Sequence, residues 1–255
     1  MNKRYMKQIF PWLIPILLLV IWQVTSQLGL LPNRILPAPT TVISAGVDLV
    51  QTGKIWPHLW ASTYRAVIGL LIGGGIGFFF GLLNGLSKSS AILFDSSIQM
   101  LRNIPHLAMI PLIILWFGIG EEGKIFLIAL GVVFPIYLNT YHGIKSVDKN
   151  YIEMGKNYGL SGWGIFCHII LPGALSSILV GLRYALGIMW ITLIVAETTA
   201  SKNGIGFLAM DAREFMRMDV VVLSIILYAL LGKLSDIIVK ILEFRLLNWH
   251  PSYQK

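Results

Sequence analysis

Long apolar runs separated by short polar stretches set the layout of this chain. Apolar residues dominate 10–28, 64–86, 91–117, 124–144, 172–200 and 219–241. At a helical rise of about 1.5 Å per residue, each run can cross a hydrocarbon core roughly 30 Å thick. The pattern predicts an all-α polytopic membrane protein with six transmembrane helices and a single transmembrane domain over 1–255. Between the first two runs the chain is broken by Pro32, Pro37, Pro39 and Pro57 and is too polar to span. Thr40 or Thr41 is expected to cap a short helix through Val50, ended by Gly53. Residues 204–218 read as a second short helix outside the membrane core.

Two runs carry a finer pattern. In the second, Gly69, Gly73, Gly77, Gly81 and Gly85 recur at every fourth position. That spacing lines up a face without side chains, against which another helix packs backbone to backbone. A phosphate-cradling loop is excluded, because the context is apolar helix with no charged partner. The third run opens polar, with Asp95, Gln99, Arg102, Asn103 and His106, and is interrupted by Pro105 and Pro111. Prolines inside a span are tolerated where neighbours satisfy the freed carbonyls. Pro135 predicts a kink in the fourth.

Composition supports the membrane reading. Of 255 residues 56% are hydrophobic and 13% charged, about half the charged share of a soluble domain, and the mean hydropathy is +0.74. The formal charge of +8 comes without a dense basic block or an aromatic-basic RNA signature, so nucleic acid is excluded as a partner. The basic residues sort by side instead. With both termini inside, the inner segments hold ten (Lys3, Arg4, Lys7, Lys88, Lys145, Lys149, Lys156, Lys240, Arg245, Lys255). The outer ones hold six: Arg34, Lys54, Lys124, Lys202, Arg213 and Arg217. That is the positive-inside bias. The first run is too long for a signal-peptide core and lacks a cleavage site, so it reads as an uncleaved span. The single cysteine, Cys167, excludes an internal disulfide.

No catalytic group emerges. His58, His106, His142, His168 and His250 form no HExxH, no nucleophile elbow is present, and the four Gly-Lys pairs continue with Ile, Ile, Asn or Leu rather than Ser or Thr. The chain has no Walker A loop and no metal site. Ionisable groups within spans need a reason, because burying them is costly. Arg65, at a span end, is expected to snorkel to the interface. Lys233 and Asp236 share a helix face and neutralise each other. Arg102, Asn103 and His106 flank the proline break. Either they line a cavity that favours anions, or Arg102 anchors the third span at the inner surface. Glu197, near the outer end of the fifth run, makes a gate hydrogen bond or is simply exposed.

One stretch between spans four and five, EMGKNYGLSGWGIFCHIILP (153–172), is too long and too patterned for a connection. Glu153 is followed after five residues by Gly159, after nine more by Ile169, then one residue before Leu171 and Pro172. Gly159 suits a turn with positive φ, and Ser161 suits a helix cap. Leu171, before a proline, is biased away from helix. The skeleton resembles the cytoplasmic coupling motif of ABC-importer permeases, which reads Glu-Ala-Ala, Gly, Ile-x-Leu-Pro at these spacings. Met154 and Gly155 replace the alanines, and a mid-helix glycine costs about 1 kcal/mol. Further strings (Arg34-Ile-Leu-Pro-Ala-Pro, Pro111-Leu-Ile-Ile-Leu-Trp-Phe-Gly, Ile194-Val-Ala-Glu-Thr, Gly204-Ile-Gly-Phe-Leu-Ala-Met) resemble the nitrate/taurine/sulfonate branch, nearest its aliphatic-sulfonate permeases.

The resemblance spans about 10–253 and implies a type I ABC importer permease (MetI-like) fold. It implies a cytoplasmic coupling segment at 149–171, in which Glu153, Tyr158, Gly159, Leu160, Ile169, Leu171 and Pro172 meet an ATPase. Further implied are a second copy of the chain, two ABC ATPase subunits that hold ATP and Mg, and a periplasmic or lipid-anchored substrate-binding protein. The location is the bacterial cytoplasmic (inner) membrane. No cofactor is expected on this chain. Taurine, nitrate or another small solute is the alternative cargo, and ATP-independent secondary transport the alternative mode.

Overall fold

The computed structural model describes residues 3–32 and 34–249; His250 and Lys255 lie outside it, as do the side chains of Lys3, Arg4 and Lys7. Among the described residues all regular structure is helical: α1 (Lys3–Gln27), α2 (Pro39–Gln51), α3 (Ile55–Leu86), α4 (Lys88–Arg102), α5 (Ile110–Phe117), α6 (Glu121–Lys145), α7 (Lys149–Asn157), α8 (Gly162–Ile165), α9 (Leu171–Ala200), α10 (Ile205–Glu214) and α11 (Met218–Leu246). A 3-10 turn over His106–Met109 precedes α5, and a π-helical turn over Phe166–Ile170 precedes α9. The chain divides into two compact units, Met1–Ala61 with Lys202–Tyr228, and Ser62–Ser201 with Ala229–Lys255.

The first unit is held by an apolar cluster. Val42, Ala45 and Leu49 of α2 meet Leu208 and Ala212 of α10 and Val220 and Leu223 of α11, with Trp22 of α1 at the margin. Gly46 leaves room for Leu223, whose Cδ1 would stand 3.2 Å from an added Cβ. α1 is tied to α2 by paired bonds between the Gln23 amide and Thr40. Thr40 and Thr41 do not cap α2. The N-cap is Ala38, without a side-chain bond, because Pro39 occupies the first turn and needs no acceptor there.

The second unit is organised on α6. Its apolar window is 61% buried, against 17–28% for the other spans. On one side α3 lies against it through the glycine face. A Cβ on Gly73 would run into the backbone of Ala129, and one on Gly77 into the carbonyl of Val133. At Gly81 it would stand 2.6 Å from Thr140 Cβ, and at Gly85 2.8 Å from Ile144 Cδ1. Helices of like apolarity gain nothing by leaving lipid, so this close approach supplies their attraction by dispersion. On the other side α9 packs along α6: Gly143 faces Ser177 and Ala174, Gly181 faces Asn139, and Gly131 faces Thr192 and Ile188. α6 continues through Pro135 as one helix.

Four described helices are long and apolar enough to cross a membrane. The third expected span is not one helix. α4 and the His106–Phe117 pair are bent by 76° at the intervening break, as a broken span or a re-entrant loop, which would bring the count to five. The cause is local: Asn103 and Ile104 precede Pro105, whose ring disfavours helix before it, and Pro111 opens α5. Among the described residues of α1 the apolar stretch is Leu13–Gln27, below that length.

The glycine face gives a sharp contrast. Gly73→Ala forces backbone against backbone, whereas an added Cβ at Gly75 meets nothing within 4 Å. Gly73→Ala should lower the melting temperature and monodisperse yield of the detergent-purified protein. Gly75→Ala should leave both unchanged or raise them, since alanine is the better helix former by about 1 kcal/mol. Equal behaviour of the two variants would remove the packing account.

Candidate functional site: the 149–172 cap and the charged groups of the spans

The polar stretch folds as a helical cap on α9. Asp148 caps α7 by accepting from the Asn150 N–H at 2.9 Å. α7 ends in a Schellman motif: Gly159 N–H donates to the Lys156 carbonyl and Leu160 N–H to the Gly155 carbonyl, at 2.9 and 3.0 Å. Gly159 occupies the left-handed position at φ +79°, where a side chain would be strained. Ser161 then caps α8 by accepting from Gly164 N–H at 3.2 Å. Gly155 explains its own place. It is buried, and a Cβ there would lie 2.5 Å from Ile169 Cδ1 and 3.4 Å from Leu160 Cδ1. The glycine thus seats the side chain of Ile169, which offsets its poor helix propensity.

Leu171 departs from the sequence expectation: it is helical, at φ −63° and ψ −47°. The π turn is the reason. Pro172 has no N–H for the His168 carbonyl and its ring crowds that carbonyl in an α turn. Leu171 N–H instead bonds Phe166 O, five residues back, and the wider turn admits the proline. The helix therefore runs from Gly162 to Thr199, 38 residues in all.

The motif residues divide by exposure. Gly159 shapes the turn, while Ile169, Leu171 and Pro172 are half-buried in the body of the cap. Glu153, Tyr158 and Leu160 face outward, Tyr158 at 83% exposure. Around them lie Tyr151, Met154 and Trp163, the last at 73%, which sequence reasoning left unassigned. An aromatic-rich outward face of this kind is what a protein interface core is made of.

The candidate path residues are not gathered in one place. Arg102 and Asn103 are exposed at the break after α4. His106 is half-buried, its Nε2 3.3 Å from the Thr192 hydroxyl of α9. Glu197 is not exposed. Its side chain belongs to an ion cluster that joins three helices and corrects the reading of Arg65 as well. Arg65 of α3 is fully buried, and its Nε and Nη2 bind both carboxylate oxygens of Glu121 of α6 at 2.5 and 2.7 Å. Its Nη1 binds Glu197 of α9 at 2.6 Å. Ser62 donates to Glu197 at 2.8 Å, and Lys124 reaches Glu121 at 3.2 Å. With two cations against two carboxylates the cluster is neutral, which a low-dielectric site demands. Arg65 lies four residues before Gly69, on the glycine face, so it meets α6 instead of snorkelling.

A second network joins α9 to α11. Arg183 binds Glu243 at 2.7 Å and approaches Asp236 at 3.3 Å, while Lys233 and Lys240 reach Asp236 at 3.6 and 3.1 Å. Asn84, Tyr137 and Asp95 form a third: Asn84 donates to the Tyr137 hydroxyl at 2.8 Å, and that hydroxyl to Asp95 at 2.6 Å. A groove of about 740 Å³ between α3, α4 and α6 is lined by side chains such as Ile72, Ile76, Phe80, Phe94 and Phe134, with no cation among them.

The sequence pattern of the family described as binding-protein-dependent transport system inner membrane component matches residues 69–248. The chain belongs to that family. It is 55% identical to the putative aliphatic sulfonates transport permease protein SsuC of Escherichia coli K12, over 98% of this chain and 95% of the relative. The protein of the same name from Bacillus subtilis 168 is 44% identical, over 95% and 88%. The taurine transport system permease protein TauC of Escherichia coli K12 is 36% identical, over 93% and 88%. Among solved structures, an amino acid ABC transporter with histidines matches at TM-score 0.62 and 17% identity, covering 78% of this chain and 97% of that one. An inward-facing MetNI methionine ABC transporter matches at TM-score 0.53 and 20% identity, over 73% and 93%. These two show the fold, that of MetI-like ABC importer permeases.

Breaking the three-helix cluster has a defined cost. Arg65→Ala strands the buried Glu197 carboxylate and should destabilise the purified protein by about 3–5 kcal/mol, read as a drop in apparent melting temperature. Arg65→Met combined with Glu197→Gln, which removes both charges, should recover much of that loss. An unchanged melting temperature for Arg65→Ala would show that the cluster holds nothing together.

Proposed function

We propose that this chain is the membrane-spanning permease subunit of an ATP-driven importer of aliphatic sulfonates. The observation that carries the reading is the 149–172 cap: an exposed, aromatic, motif-bearing surface whose α7 part packs at Gly155 on Ile169 of the unbroken helix Gly162–Thr199 that goes on as a transmembrane span. Such a surface gives an ATPase on another chain a grip on α9. The sulfonate cargo is supported by the 55% identity with a permease of that name. ATP and Mg sit on the ATPase partners, two of them, one under each copy of a permease dimer. A binding protein delivers the solute, and the chain itself performs no catalysis. It lies in the bacterial cytoplasmic membrane with both termini and the cap inside, and the outward-to-inward path runs along its spans. Arg102 and Asn103, exposed at the bend after α4, are the donors an anion meets on that path.

ATP binding favours one arrangement of the spans only if it acts on them differentially. The cap supplies that link, because Tyr158, Glu153 and Trp163 touch the motor while Ile169, Leu171 and Pro172 continue into α9.

Uptake of alkanesulfonates, taurine and nitrate by the assembled transporter, with the ATPase active or inactivated, tests the reading. Alkanesulfonate should be taken up best, and only with active ATPase. Uptake without ATP hydrolysis would make the chain a secondary transporter. Gly159→Val, which places a β-branched residue at φ +79°, should abolish uptake while leaving the amount of membrane-inserted protein intact. Full uptake by that variant would remove the coupling role.

A further inference from the structure

The break between α4 and α5 is placed by contacts on both of its sides. Before it, Asp95 of α4 accepts from the Tyr137 hydroxyl of α6 at 2.6 Å. After it, His106 Nε2 stands 3.3 Å from the Thr192 hydroxyl of α9, and the pair sits over Gly131 of α6. A Cβ on Gly131 would lie 3.0 Å from Thr192 Oγ1 and 3.4 Å from His106 Nε2, so the glycine makes room for the pair. Gly131 is ten residues from one end of α6 (Glu121–Lys145) and fourteen from the other, about 15 and 21 Å along the helix axis. His106 thus stands near the middle of the membrane, and the break stands with it.

Two features of the break do not suit lipid. Asn103, Ile104 and Pro105 are irregular in backbone and exposed, and at hydrocarbon depth such backbone is stable only inside protein or beside water. Arg102 is exposed and makes no ion pair among the described residues, since Asp95, the acid of α4, is engaged by Tyr137 and Gln99. An unpaired cation at this depth fits a water-filled path. His106 belongs to the same segment and is half-buried. Thr192, fully buried, occupies its Nε2, while Nδ1 makes no hydrogen bond among the described residues and is not sealed in the interior. A hydroxyl that donates to Nε2 keeps the ring proton on Nδ1, because the bond at one nitrogen fixes the tautomer. The ring then offers an N–H in the segment that also carries the Asn103 amide and the Arg102 guanidinium.

We infer that His106 binds the sulfonate headgroup within the membrane, with Thr192 as the positioning residue behind it and Arg102 and Asn103 as further donors. The inference rests on the importer reading and names the residues of this chain that hold the cargo on its way. A sulfonate carries a permanent charge spread over three oxygens, and away from bulk water those oxygens need donors. The guanidinium supplies the charge, while the imidazole and the amide supply direction. A path must also release its cargo. A single donor on a half-buried ring orients the headgroup without enclosing it.

The test uses the complete transporter in vesicles, two copies of this chain with its ATPases, supplied with binding protein and hexanesulfonate. His106→Leu should lower initial uptake per assembled transporter about tenfold or more, through loss of one directed bond to a charged group. His106→Asn, whose amide places an N–H close to where Nδ1 stands, should retain most of it. Thr192→Val should fall as His106→Leu does, and Thr192→Ser, which keeps the hydroxyl, should not. A second readout asks what the break faces. Cys167 is the only cysteine, so Ile104→Cys in a Cys167→Ser background carries one thiol, at a position 45% exposed. It should react with a water-soluble maleimide, and hexanesulfonate should slow that reaction where hexanol does not. Equal uptake by the natural protein and His106→Leu would overturn the inference and leave the importer reading standing. So would His106→Asn and Thr192→Ser falling as far as His106→Leu and Thr192→Val, or a thiol at 104 that stays unreactive, or indifferent to hexanesulfonate, in a transporter that imports. A natural transporter that takes up no sulfonate would overturn the importer reading and this inference with it.

Discussion

The contact between α3 and α6 constrains everything around it. Two apolar helices in lipid have no hydrophobic reason to associate, so their attraction must come from close packing and from polar groups paired between them. Both occur on one face of α3. Gly73 and Gly77 bring its backbone against Ala129 and Val133. One turn before Gly69 the same face carries Arg65, whose guanidinium closes the end of the contact on Glu121 and extends it to Glu197 of α9. The glycines set the distance and the arginine sets the register: a slide of one turn would leave a buried charge without its partner. α6 is thereby fixed between α3 and α9 and is the most buried of the spans.

From that fixed seam the cap gains its meaning. α9 is held to α6 along its length and to α3 through Glu197, and its beginning is continuous with the exposed surface around Tyr158 and Trp163. The π turn lets Pro172 sit in that helix without interrupting it. Force applied at the cap therefore enters a packed three-helix body and is not absorbed in a loose hinge. Packed elements with discrete interfaces shift between arrangements rather than deform gradually, which suits a transporter that must expose its path to one side at a time.

Much of this is legible in the sequence, because its causes are local. Apolar length marks α3, α6, α9 and α11, the four-residue glycine spacing marks a bare helix face, and Gly159 and Ser161 mark a turn and a cap. What escapes is whatever depends on partners far along the chain. Glu121 lies 56 residues from Arg65 and Glu197 lies 132 away, so a lone arginine at a span end looks like an interface anchor. One signal was available: Arg65 continues the glycine spacing backward by one more step. Pro105 announces an interruption in the third run, but the 76° bend it produces depends on how α5 lies against α6 and α9 through Ile113, Leu127 and Ala196. The helicity of Leu171 escapes because the rule for residues before proline assumes an α turn, and this turn is π. Gly155 looks like a weakness in α7 until Ile169 is seen to occupy the space its side chain would need.

The central claim is that the exposed cap is where the ATPase holds this chain. Cys167 is the only cysteine, so a Cys167→Ser background carrying Tyr158→Cys offers one reactive site on the outward surface. In the assembled transporter, a short bifunctional thiol reagent should join that residue to the ATPase subunit, with a yield that changes when ATP is added. A transporter that imports sulfonate normally, yet never cross-links from Tyr158→Cys or from Trp163→Cys, would contradict the account.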